Sequence, residues 1–529
     1  MAIVEGPALP PLESMTWVGD YARAAADQFP EQTAFVVPEL GVSYTYAELD
    51  RRVGRAAALL RSRGLGRGDR IAHYGRNNDH YYVLLLAAIR LGLVVVPLNW
   101  RCVGPEIAFF LRDSQSRLLF CDAEFLGIAE AAGEGLDPAP AIILMERTDT
   151  LDGLRQFLEA EGEIHNEAIA WDADTVCLQL YTSGTTGRPK GVLIRHQGLS
   201  ISRYQEQSWP AFPNWQAGTI VAAMPNFHIG GISWILMGLL RQSTCVMTQD
   251  PSATNITRLL VEHRAERLFA VPTVVRGVID RIRAAGTQMP WFEGLFYGAA
   301  PMSPSLLADV IDTLRCSFGQ FFGMTEITGM ITFLLPTDHD PARPHLLDSV
   351  GRPYPGVAME IRDARGEPVA PETPGEIWVR TPTVMQGYWQ RPDATSEVLR
   401  DGWYRSGDGG YVDADGYLFL TDRIKDVIVS GGENVYPNEV EEVLRRFPDV
   451  LEVAIVGIPH QRWGEAVAAV VECRPGATID QAELMAYCRT QIAPFKCPKH
   501  VKFVDALPRT ASGKVQRAIV RKELLGSGV

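Results

Sequence analysis

The sequence lacks the cysteine spacing of a metal site or of a disulfide framework. Eight cysteines are scattered over 529 residues, with no CxxC pair and no metal-binding Cys/His spacing. Small disulfide-stabilised proteins concentrate their cysteines, and zinc sites repeat them at short, fixed intervals. This usage instead indicates reduced thiols, as in a cytoplasmic protein.

The sequence also lacks a signal peptide and a long apolar run. Its start, MAIVEGPALPPLESM, has acids and prolines where a signal peptide has a basic end and an apolar stretch. The most apolar segment, residues 81 to 98, is interrupted by Arg90, Gly92 and Pro97. This segment predicts a buried helix followed by a strand rather than a membrane span. We therefore expect a soluble, cytoplasmic protein.

The chain has fewer basic than acidic residues. The formal net charge is -13, spread along the chain rather than gathered into an acidic tail. This balance repels a phosphate backbone, so we expect no nucleic-acid partner, although a local group of donors could still hold a nucleotide. Two common nucleotide signatures are missing as well, because the chain has no Walker A sequence and no GxGxxG after a strand.

Helical and strand patterns alternate from the start to about residue 335, which is typical of α/β layers with largely parallel strands. Thr45 and Glu48 form a capping-box signature, and residues 70 to 74, RIAHY, predict a short strand. Between residues 345 and 422, turn signals separate short strands such as AMEIRD, GEIWVR and YLFLTD. After residue 425 the pattern restarts as a compact α+β unit.

The predicted fold class is therefore α/β. A large N-terminal domain, residues 1–424, contains two layered α/β subdomains and a small β-rich subdomain at about 345–422. A smaller α+β C-terminal domain follows at 425–529. Because no low-complexity linker separates the two domains, the sequence predicts a tight hinge rather than a tether.

One stretch has the chemistry of a phosphate loop. Residues 181 to 192, YTSGTTGRPKGV, follow an apolar strand-like run and combine hydroxyls, glycines and a lysine. Glycines let backbone N–H groups approach phosphate oxygens closely, and hydroxyl and ammonium groups add donors. Taken alone, such a stretch also fits a polar surface turn. The candidate phosphate-binding residues are Thr182, Ser183, Gly184, Thr185, Thr186, Gly187 and Lys190.

The same stretch resembles the phosphate-loop signature of the adenylate-forming superfamily, in particular its acyl-CoA synthetase (AMP-dependent acyl-CoA ligase) branch. Further matches follow in the order of that family, and the resemblance covers residues of roughly 20 to 520. The matching segments are FHIGG (227–231), YGAAP (297–301), FGMTE (322–326), YRSGD (404–408), DRIKDVIVSGGENVYP (422–437) and PRTASGKVQR (508–517).

The resemblance implies roles for residues in each segment. Glu326, with Thr182 near it, would hold Mg²⁺, a hard cation that takes one or two protein oxygens beside phosphate oxygens. Lys514 would contact the substrate carboxylate and the α-phosphate. Lys425 would be the hinge residue about which a mobile C-terminal domain rotates, removing Lys514 before thiolation. The nucleotide site would also include Gly298, Ala299, Ala300, Phe322, Gly323, Thr325, Asp408 and Arg423, and the thiolation loop Ser430, Gly431, Gly432 and Glu433. The implied catalytic set is Lys514, Glu326, Thr325 and His228.

The candidate acid pocket is apolar. Adenylation domains that activate amino acids carry an aspartate after the phenylalanine of the FHIGG segment, whereas this chain has His228. A substrate ammonium would therefore be buried without a counter-charge, which is costly. The candidate lining is His228, Ile229, Gly230, Gly231, Ile232, Trp234, Val271 and Met324. Medium- or long-chain fatty, aryl and alicyclic or steroid-derived acids all fit such a lining.

The resemblance predicts an ATP-dependent carboxylate–CoA ligase. It would form an acyl-adenylate and pyrophosphate, and then transfer the acyl group to coenzyme A with release of AMP. The alternatives are an amino- or aryl-acid adenylating enzyme that loads a carrier protein, luciferase-type oxygenation, and an inactive nucleotide-binding homologue. Homodimers are common in the family, so a homodimer is one assembly to test.

Overall fold

The computed structural model describes residues 3–146, 153–159, 162, 164–166, 174–182, 189–300, 302, 304–423, 426, 428–430, 433–460, 463–492, 494, 496–509 and 513–526. The chain divides into two compact units. The larger unit consists of Val4–Met359 and Val379–Tyr404, and the smaller unit consists of Met1–Ile3, Glu360–Trp378 and Arg405–Val529.

The helices and strands of the described residues follow in chain order. The α-helices are α1 Tyr21–Gln28, α2 Tyr46–Ser62, α3 Asp79–Arg90, α4 Gly104–Ser114, α5 Leu126–Gly133, α6 Leu154–Glu159, α7 His196–Ser208, α8 Ile229–Leu240, α9 Ala253–Glu262, α10 Pro272–Ala285, α11 Pro304–Leu314, α12 Pro392–Val398, α13 Pro437–Arg445, α14 Gln481–Gln491 and α15 Arg517–Gly526.

The strands of the first 335 residues are β1 Val4–Glu5, β2 Thr33–Val37, β3 Val42–Thr45, β4 Arg70–Tyr74, β5 Val94–Leu98, β6 Leu118–Cys121, β7 Ala141–Leu144, β8 Val176–Thr182, β9 Lys190–Arg195, β10 Thr219–Ala222, β11 Thr244–Met247, β12 Arg267–Ala270, β13 Gly294–Gly298, β14 Ser317–Phe322 and β15 Thr332–Leu334. The later strands are β16 Arg352–Pro353, β17 Ala358–Arg362, β18 Gly375–Arg380, β19 Gly387–Tyr388, β20 Leu399–Arg400, β21 Trp403–Val412, β22 Leu418–Arg423, β23 Ile428–Ser430, β24 Glu433–Val435, β25 Val450–His460, β26 Gly464–Cys473 and β27 His500–Val504.

Two sheets organise the larger unit. A nine-stranded sheet has the order β16-β15-β14-β13-β12-β10-β11-β2-β3, and a seven-stranded sheet has the order β19-β9-β8-β5-β4-β6-β7. The pairings from β14 to β2 and from β8 to β7 are parallel, and the antiparallel strands lie at the edges. The predicted α/β class is therefore confirmed, because helices cover strands that are buried on both faces.

Local signals in the sequence predicted several elements of this unit correctly. The side chain of Thr45 accepts a hydrogen bond from the Glu48 backbone N–H at 3.3 Å and caps α2, as the capping-box signature predicts. The predicted strand at residues 70 to 74 is β4, and the apolar segment at 81 to 98 forms most of α3 followed by β5. Every residue of α3 and β5 is buried.

The smaller unit contains a five-stranded sheet with the order β24-β23-β26-β25, in which β27 pairs with β26. Alternate residues of β25 face opposite sides, as a strand requires. Val453 and Ile455 pack into a core with α13 and α14, whereas Ala454 and Val456 pack with α15. Strands β17, β18 and β21 run from one unit into the other along the chain. The domain boundary expected near residue 425 stays a prediction, because residues 424 and 425 lie outside the described residues.

Two further features concern the cysteines and the membrane. None of the eight cysteines forms a disulfide in the structure. Within the described ranges, no helix combines the length and the apolar character that crossing a bilayer requires.

A buried carboxyl group gives the larger unit a testable pH dependence. Burial raises the pKa of Glu206 from 4.5 to about 7, although the guanidinium of Arg203, 2.9 Å away, opposes the shift. The folded state binds this proton more tightly than the unfolded state, so the contribution of Glu206 to stability falls as the pH rises from about 4.5 to about 7. We expect Glu206→Gln to reduce the difference in urea midpoint between about pH 5 and about pH 7.5. The exposed Glu262 is the control, and an equal response to Glu262→Gln would contradict the assignment.

Candidate functional site

Four of the predicted nucleotide and acid segments lie at one edge of the nine-stranded sheet. Strands β10, β12, β13 and β14 run parallel, so their carboxyl ends meet at that edge. The His228 segment follows β10 and Val271 follows β12, while Gly298 is the last residue of β13 and Phe322 is the last residue of β14. Ligands of open α/β sheets bind outside the carboxyl ends of such strands. Four segments that are distant in sequence therefore lie at one edge.

Glu326 is the centre of a polar cluster within the larger unit. It lies in a single helical turn, Thr325–Ile327, directly after β14. Its Oε1 accepts hydrogen bonds from the Thr182 hydroxyl at 3.4 Å and from the Tyr388 hydroxyl at 3.0 Å. Its backbone oxygen accepts from the Met385 N–H at 2.7 Å. The structure thus brings together Glu326 and Thr182, the two residues that the sequence assigns to Mg²⁺.

The donor set of this cluster fits Mg²⁺. A carboxylate and a hydroxyl are hard oxygen donors, and Mg²⁺ in phosphoryl-transfer sites takes one or two carboxylates and completes its shell with phosphate oxygens and water. Glu326 would supply the carboxylate, and Thr182 would supply the neighbouring hydroxyl. The assignment of both residues to the metal stays a prediction.

Sequence reasoning missed Tyr388. Burial and the nearby Glu326 carboxylate raise the pKa of this tyrosine, so its hydroxyl stays protonated and donates to Glu326. The Nζ of Lys190 lies over the same ring, 4.8 Å from its centroid. Tyr388 is 62 residues from Glu326 in the chain, and only the pairing of β19 with β9 brings it to the site. No spacing signal in the sequence could have found it.

Strands β8 and β9 flank the predicted phosphate loop. They pair antiparallel, with Thr182 opposite Lys190. The ends of the loop therefore lie beside Glu326 and Tyr388. The remaining predicted loop residues, Ser183, Gly184, Thr185, Thr186 and Gly187, lie outside the described residues.

The backbone of the predicted adenine slot is tightly constrained. Gly298 lies opposite Phe321, and a Cβ on Gly298 would lie 2.4 Å from the Phe321 carbonyl oxygen. A Cβ on Gly323 would lie 1.8 Å from the carbonyl oxygen of Gly329. Ala299 adopts a φ of 62°, which is uncommon for a residue other than glycine, and it is exposed, while Ala300 and Phe322 are half-buried. The two glycines are therefore required by close backbone approach, independently of any nucleotide.

The predicted acid pocket surrounds the start of α8. His228 is the N-cap residue of α8 and is half-buried, and its ring centroid lies 4.6 Å from that of Phe227. A Cβ on Gly231 would lie 2.2 Å from the Pro225 carbonyl oxygen, so only glycine fits there. Ile229, Ile232 and Val271 are buried, and Met324 is half-buried.

Trp234, another residue of the predicted lining, is fully buried on α8. It is 1% exposed, and its indole N–H donates to the Val221 carbonyl oxygen at 2.9 Å. Its ring packs among the aromatic rings between α8 and the sheet. The structure thus places Trp234 in the core between α8 and the nine-stranded sheet, and its predicted place in the acid pocket stays a prediction.

Two predicted ribose contacts lie on neighbouring strands of the smaller unit. Asp408 on β21 and Arg423 on β22 are direct cross-strand partners. Asp408 is half-buried, and its backbone N–H donates to Ser406 Oγ at 3.0 Å, while the Ser406 hydroxyl donates to the Ile377 carbonyl oxygen at 2.7 Å. The predicted hinge residue, Lys425, lies outside the described residues.

Lys514 is exposed on a turn of the smaller unit. The turn closes where Arg509 and Val515 form an antiparallel bridge. The Arg509 guanidinium donates to the Gly513 carbonyl oxygen at 3.2 Å and to Glu472 Oε2 at 3.4 Å. The backbone on both sides of Lys514 is therefore held to the core of the unit.

The predicted thiolation loop joins β23 and β24. Ser430 is buried and lies opposite Glu433 across this strand pair. Gly431 and Gly432 lie outside the described residues. The predicted roles of these four residues in thiolation stay predictions.

Comparison with known proteins matches most of the chain. A family profile described as AMP-binding enzyme matches residues 22–389, and one described as AMP-binding enzyme C-terminal domain matches residues 439–514. The chain is 37% identical over 513 residues to feruloyl-CoA synthase from Amycolatopsis sp, covering 96% of this chain and 98% of that protein. It is 36% identical over 489 residues, and 92% of each chain, to the fatty acid–[acyl-carrier-protein] ligase ScoC from Streptomyces coeruleorubidus.

A solved structure is also similar. It is the o-succinylbenzoate CoA synthetase from Bacillus subtilis in complex with an acyl-adenylate intermediate. The TM-score is 0.83 at 28% identity, and the match covers 96% of this chain and 97% of that one.

Proposed function

We propose, from the premise that the chain belongs to the AMP-binding enzyme family and is an AMP-forming acyl-CoA ligase, that it activates an apolar carboxylic acid with ATP and transfers the acyl group to coenzyme A. The observation that carries the proposal is the contact of Glu326 with Thr182 and Tyr388 at the sheet edge. A carboxylate and a hydroxyl beside the ends of a phosphate loop fit the Mg²⁺ that accompanies ATP.

In the first half-reaction, an oxygen of the substrate carboxylate attacks the α-phosphorus of ATP, and pyrophosphate leaves. A carboxylate is ionised at neutral pH, so the step needs positioning and charge neutralisation rather than a general base. Thr182 and Lys190 would contact the β- and γ-phosphates, and Glu326 would hold the Mg²⁺ that accompanies ATP. Bound Mg²⁺ supplies charge neutralisation at the phosphates.

In the second half-reaction, the sulfur of coenzyme A attacks the acyl carbonyl carbon and the thiol proton passes to water. The bond from the carbonyl carbon to the adenylate oxygen breaks, and AMP leaves with the electron pair. We place the loop containing Ser430 and Glu433 near this step, and we assign Lys425 as the hinge between the two steps. His228, at the start of α8, would border the acyl group.

The apolar lining supports an acid without a second charge. Ile229, Ile232 and Val271, which belong with His228 to the predicted lining, are buried, and they offer no counter-charge for a substrate ammonium. Feruloyl-CoA synthase and ScoC, by their names, act on an aryl acid and on a fatty acid, so both classes remain candidates. ScoC, by its name, joins its acid to an acyl-carrier protein, so the thiol of a carrier protein is the alternative acceptor.

The test is a panel of carboxylic acids assayed for pyrophosphate release with MgATP. The panel contains acetate, octanoate, palmitate, benzoate, coumarate, a steroid acid and several amino acids. Each acid is assayed with and without coenzyme A, and the thioester is identified by mass. We expect one apolar class to release pyrophosphate and to yield an acyl-CoA.

Two other outcomes would contradict the proposal. Turnover of amino acids alone, without an acyl-CoA product, would indicate an adenylating enzyme that loads a carrier protein. An absence of pyrophosphate release with every acid would indicate a nucleotide-binding homologue without ligase activity.

A further inference from the structure

Four phenylalanines cover one face of the nine-stranded sheet. Phe269 on β12 lies opposite Phe296 on β13, and Phe321 on β14 lies opposite Phe333 on β15. We call these four residues the aromatic floor. Successive residues of a strand point to opposite faces, so one residue from each strand reaches the same side. The ring centroids of Phe296 and Phe321 are 5.7 Å apart, and those of Phe321 and Phe333 are 5.0 Å apart.

The opposite face of the same strands has a different covering. Leu268, the neighbour of Phe269, packs with helices α9, α10 and α11 in a separate core that also contains Tyr297 and Phe318. Leu295, the neighbour of Phe296, lies in the same core. The alternation therefore separates a side that packs against these three helices from the side on which Trp234 of α8 packs against Phe269 and Phe296.

Trp234 joins the aromatic floor to α8. Its ring centroid is 5.8 Å from that of Phe269 and 5.4 Å from that of Phe296. Its indole N–H donates to the Val221 carbonyl oxygen, which fixes the orientation of the ring. Phe269 is 5% exposed and Phe296 is 2% exposed, so the space between α8 and the sheet is filled with rings.

The aromatic floor reaches the segment that lines the predicted acid pocket. A Cβ on Gly230 would lie 3.2 Å from Cε1 of Phe269, so the edge of that ring lies directly against the backbone of Gly230. His228 and Ile229 precede Gly230 in the same segment. On β14, Phe321 directly precedes Phe322, a residue of the predicted nucleotide site. An acid held at His228 and extending beneath α8 would therefore meet Phe269 first and Trp234 behind it.

We propose that Phe269 and Trp234 close the deep end of the acid pocket and restrict the enzyme to compact aryl acids, in which one ring is attached to the carboxyl group directly or through a short arm. This inference rests on the proposed function. Flat rings pack well against the edges and faces of aromatic side chains. A long acyl chain would instead have to displace buried rings, and each methylene that a filled pocket rejects costs about 10- to 200-fold in kcat/KM.

The experiment compares kcat/KM for adenylation of coumarate, octanoate and palmitate, measured as pyrophosphate release. The natural enzyme should prefer coumarate to palmitate by at least about 100-fold. Phe269→Ala opens space beneath Gly230, and we expect it to reduce this preference by at least about tenfold. Phe269→Leu, which keeps a buried apolar side chain, should change the preference in the same direction and replaces Phe269→Ala if that variant does not fold.

Leu268→Ala is the matched control. Leu268 is the adjacent residue on the same strand and is 1% exposed, but its side chain lies on the opposite face of the sheet, against α9, α10 and α11. We expect Leu268→Ala to lower stability without altering the ratio of coumarate to palmitate. Trp234→Phe tests the second residue of the proposal. We expect this variant to raise the rate with octanoate relative to the rate with coumarate.

Three results would overturn the inference. The first is a natural enzyme that prefers palmitate, the second is an unchanged ratio in both Phe269 variants, and the third is an equal change in Leu268→Ala. If none of the acids causes the natural enzyme to release pyrophosphate, the proposed function itself is contradicted. The failure of the inference and the failure of the proposed function are therefore distinguishable.

Discussion

Replacing Glu326 with glutamine should lower the rate of pyrophosphate release by about 10²- to 10³-fold, which is the usual loss when a preorganised electrostatic partner is removed. Glutamine keeps the shape of the side chain, and its amide oxygen can still accept hydrogen bonds from Thr182 and Tyr388. The substitution therefore removes the charge and leaves the packing of the turn after β14 in place. The loss should be accompanied by a higher Mg²⁺ concentration at half-maximal rate, because the remaining oxygen donors are neutral.

The measurement is pyrophosphate release as a function of Mg²⁺ concentration at saturating ATP and acid. Tyr388→Phe is the matched control, because it removes one hydrogen-bond donor and keeps the carboxylate and the ring beneath Lys190. We expect this variant to lose about tenfold in rate, as is typical for a group that supports a ligand. A Glu326→Gln enzyme that stays within a factor of about ten of the natural enzyme at every Mg²⁺ concentration would contradict the assignment.

The cluster around Glu326 also shows what local sequence signals can and cannot predict. The cap of α2, the strand at residues 70 to 74 and the α3–β5 segment were correct because each depends on the periodicity of neighbouring residues. The meeting of Thr182 with Glu326 was implied by the resemblance to the adenylate-forming superfamily. The contribution of Tyr388 was missed because it depends on a strand pairing between residues far apart in the chain.

The packing of aromatic side chains beneath α8 also depends on residues that are far apart in the chain. Helical spacing predicts that Trp234 lies on α8, but the neighbouring sheet determines what its ring contacts. The alternation in β12 predicts that Leu268 and Phe269 face opposite sides. Which of these sides faces the candidate acid pocket depends on the crossover from β10 through α8, which is a property of the topology. The sequence therefore predicts the phosphate chemistry better than it predicts the class of acid.

The second prediction with a large expected effect concerns the substitution of the exposed Lys514. Lys514→Ala should lower acyl-adenylate formation by about 10²- to 10³-fold, because a cation at the reacting oxygens offsets charge that develops during the attack on phosphorus. The turn that carries this lysine is anchored by the hydrogen bond from Arg509 to Gly513, so the substitution should leave the smaller unit folded. The second half-reaction uses a different nucleophile and a different leaving bond, and it should survive the change.

Single-turnover assays separate the two half-reactions of the Lys514→Ala enzyme. The first assay follows pyrophosphate release from ATP and acid, and the second follows thioester formation from a supplied acyl-adenylate and coenzyme A. Lys522→Ala is the control, because Lys522 is another exposed lysine of the same unit outside the PRTASGKVQR segment. Equal losses in both assays would contradict an arrangement in which Lys514 serves adenylation alone and the hinge at Lys425 removes it before thiolation. A selective loss of adenylation supports that division of labour, because a general defect in folding or in binding of the adenylate would slow both steps.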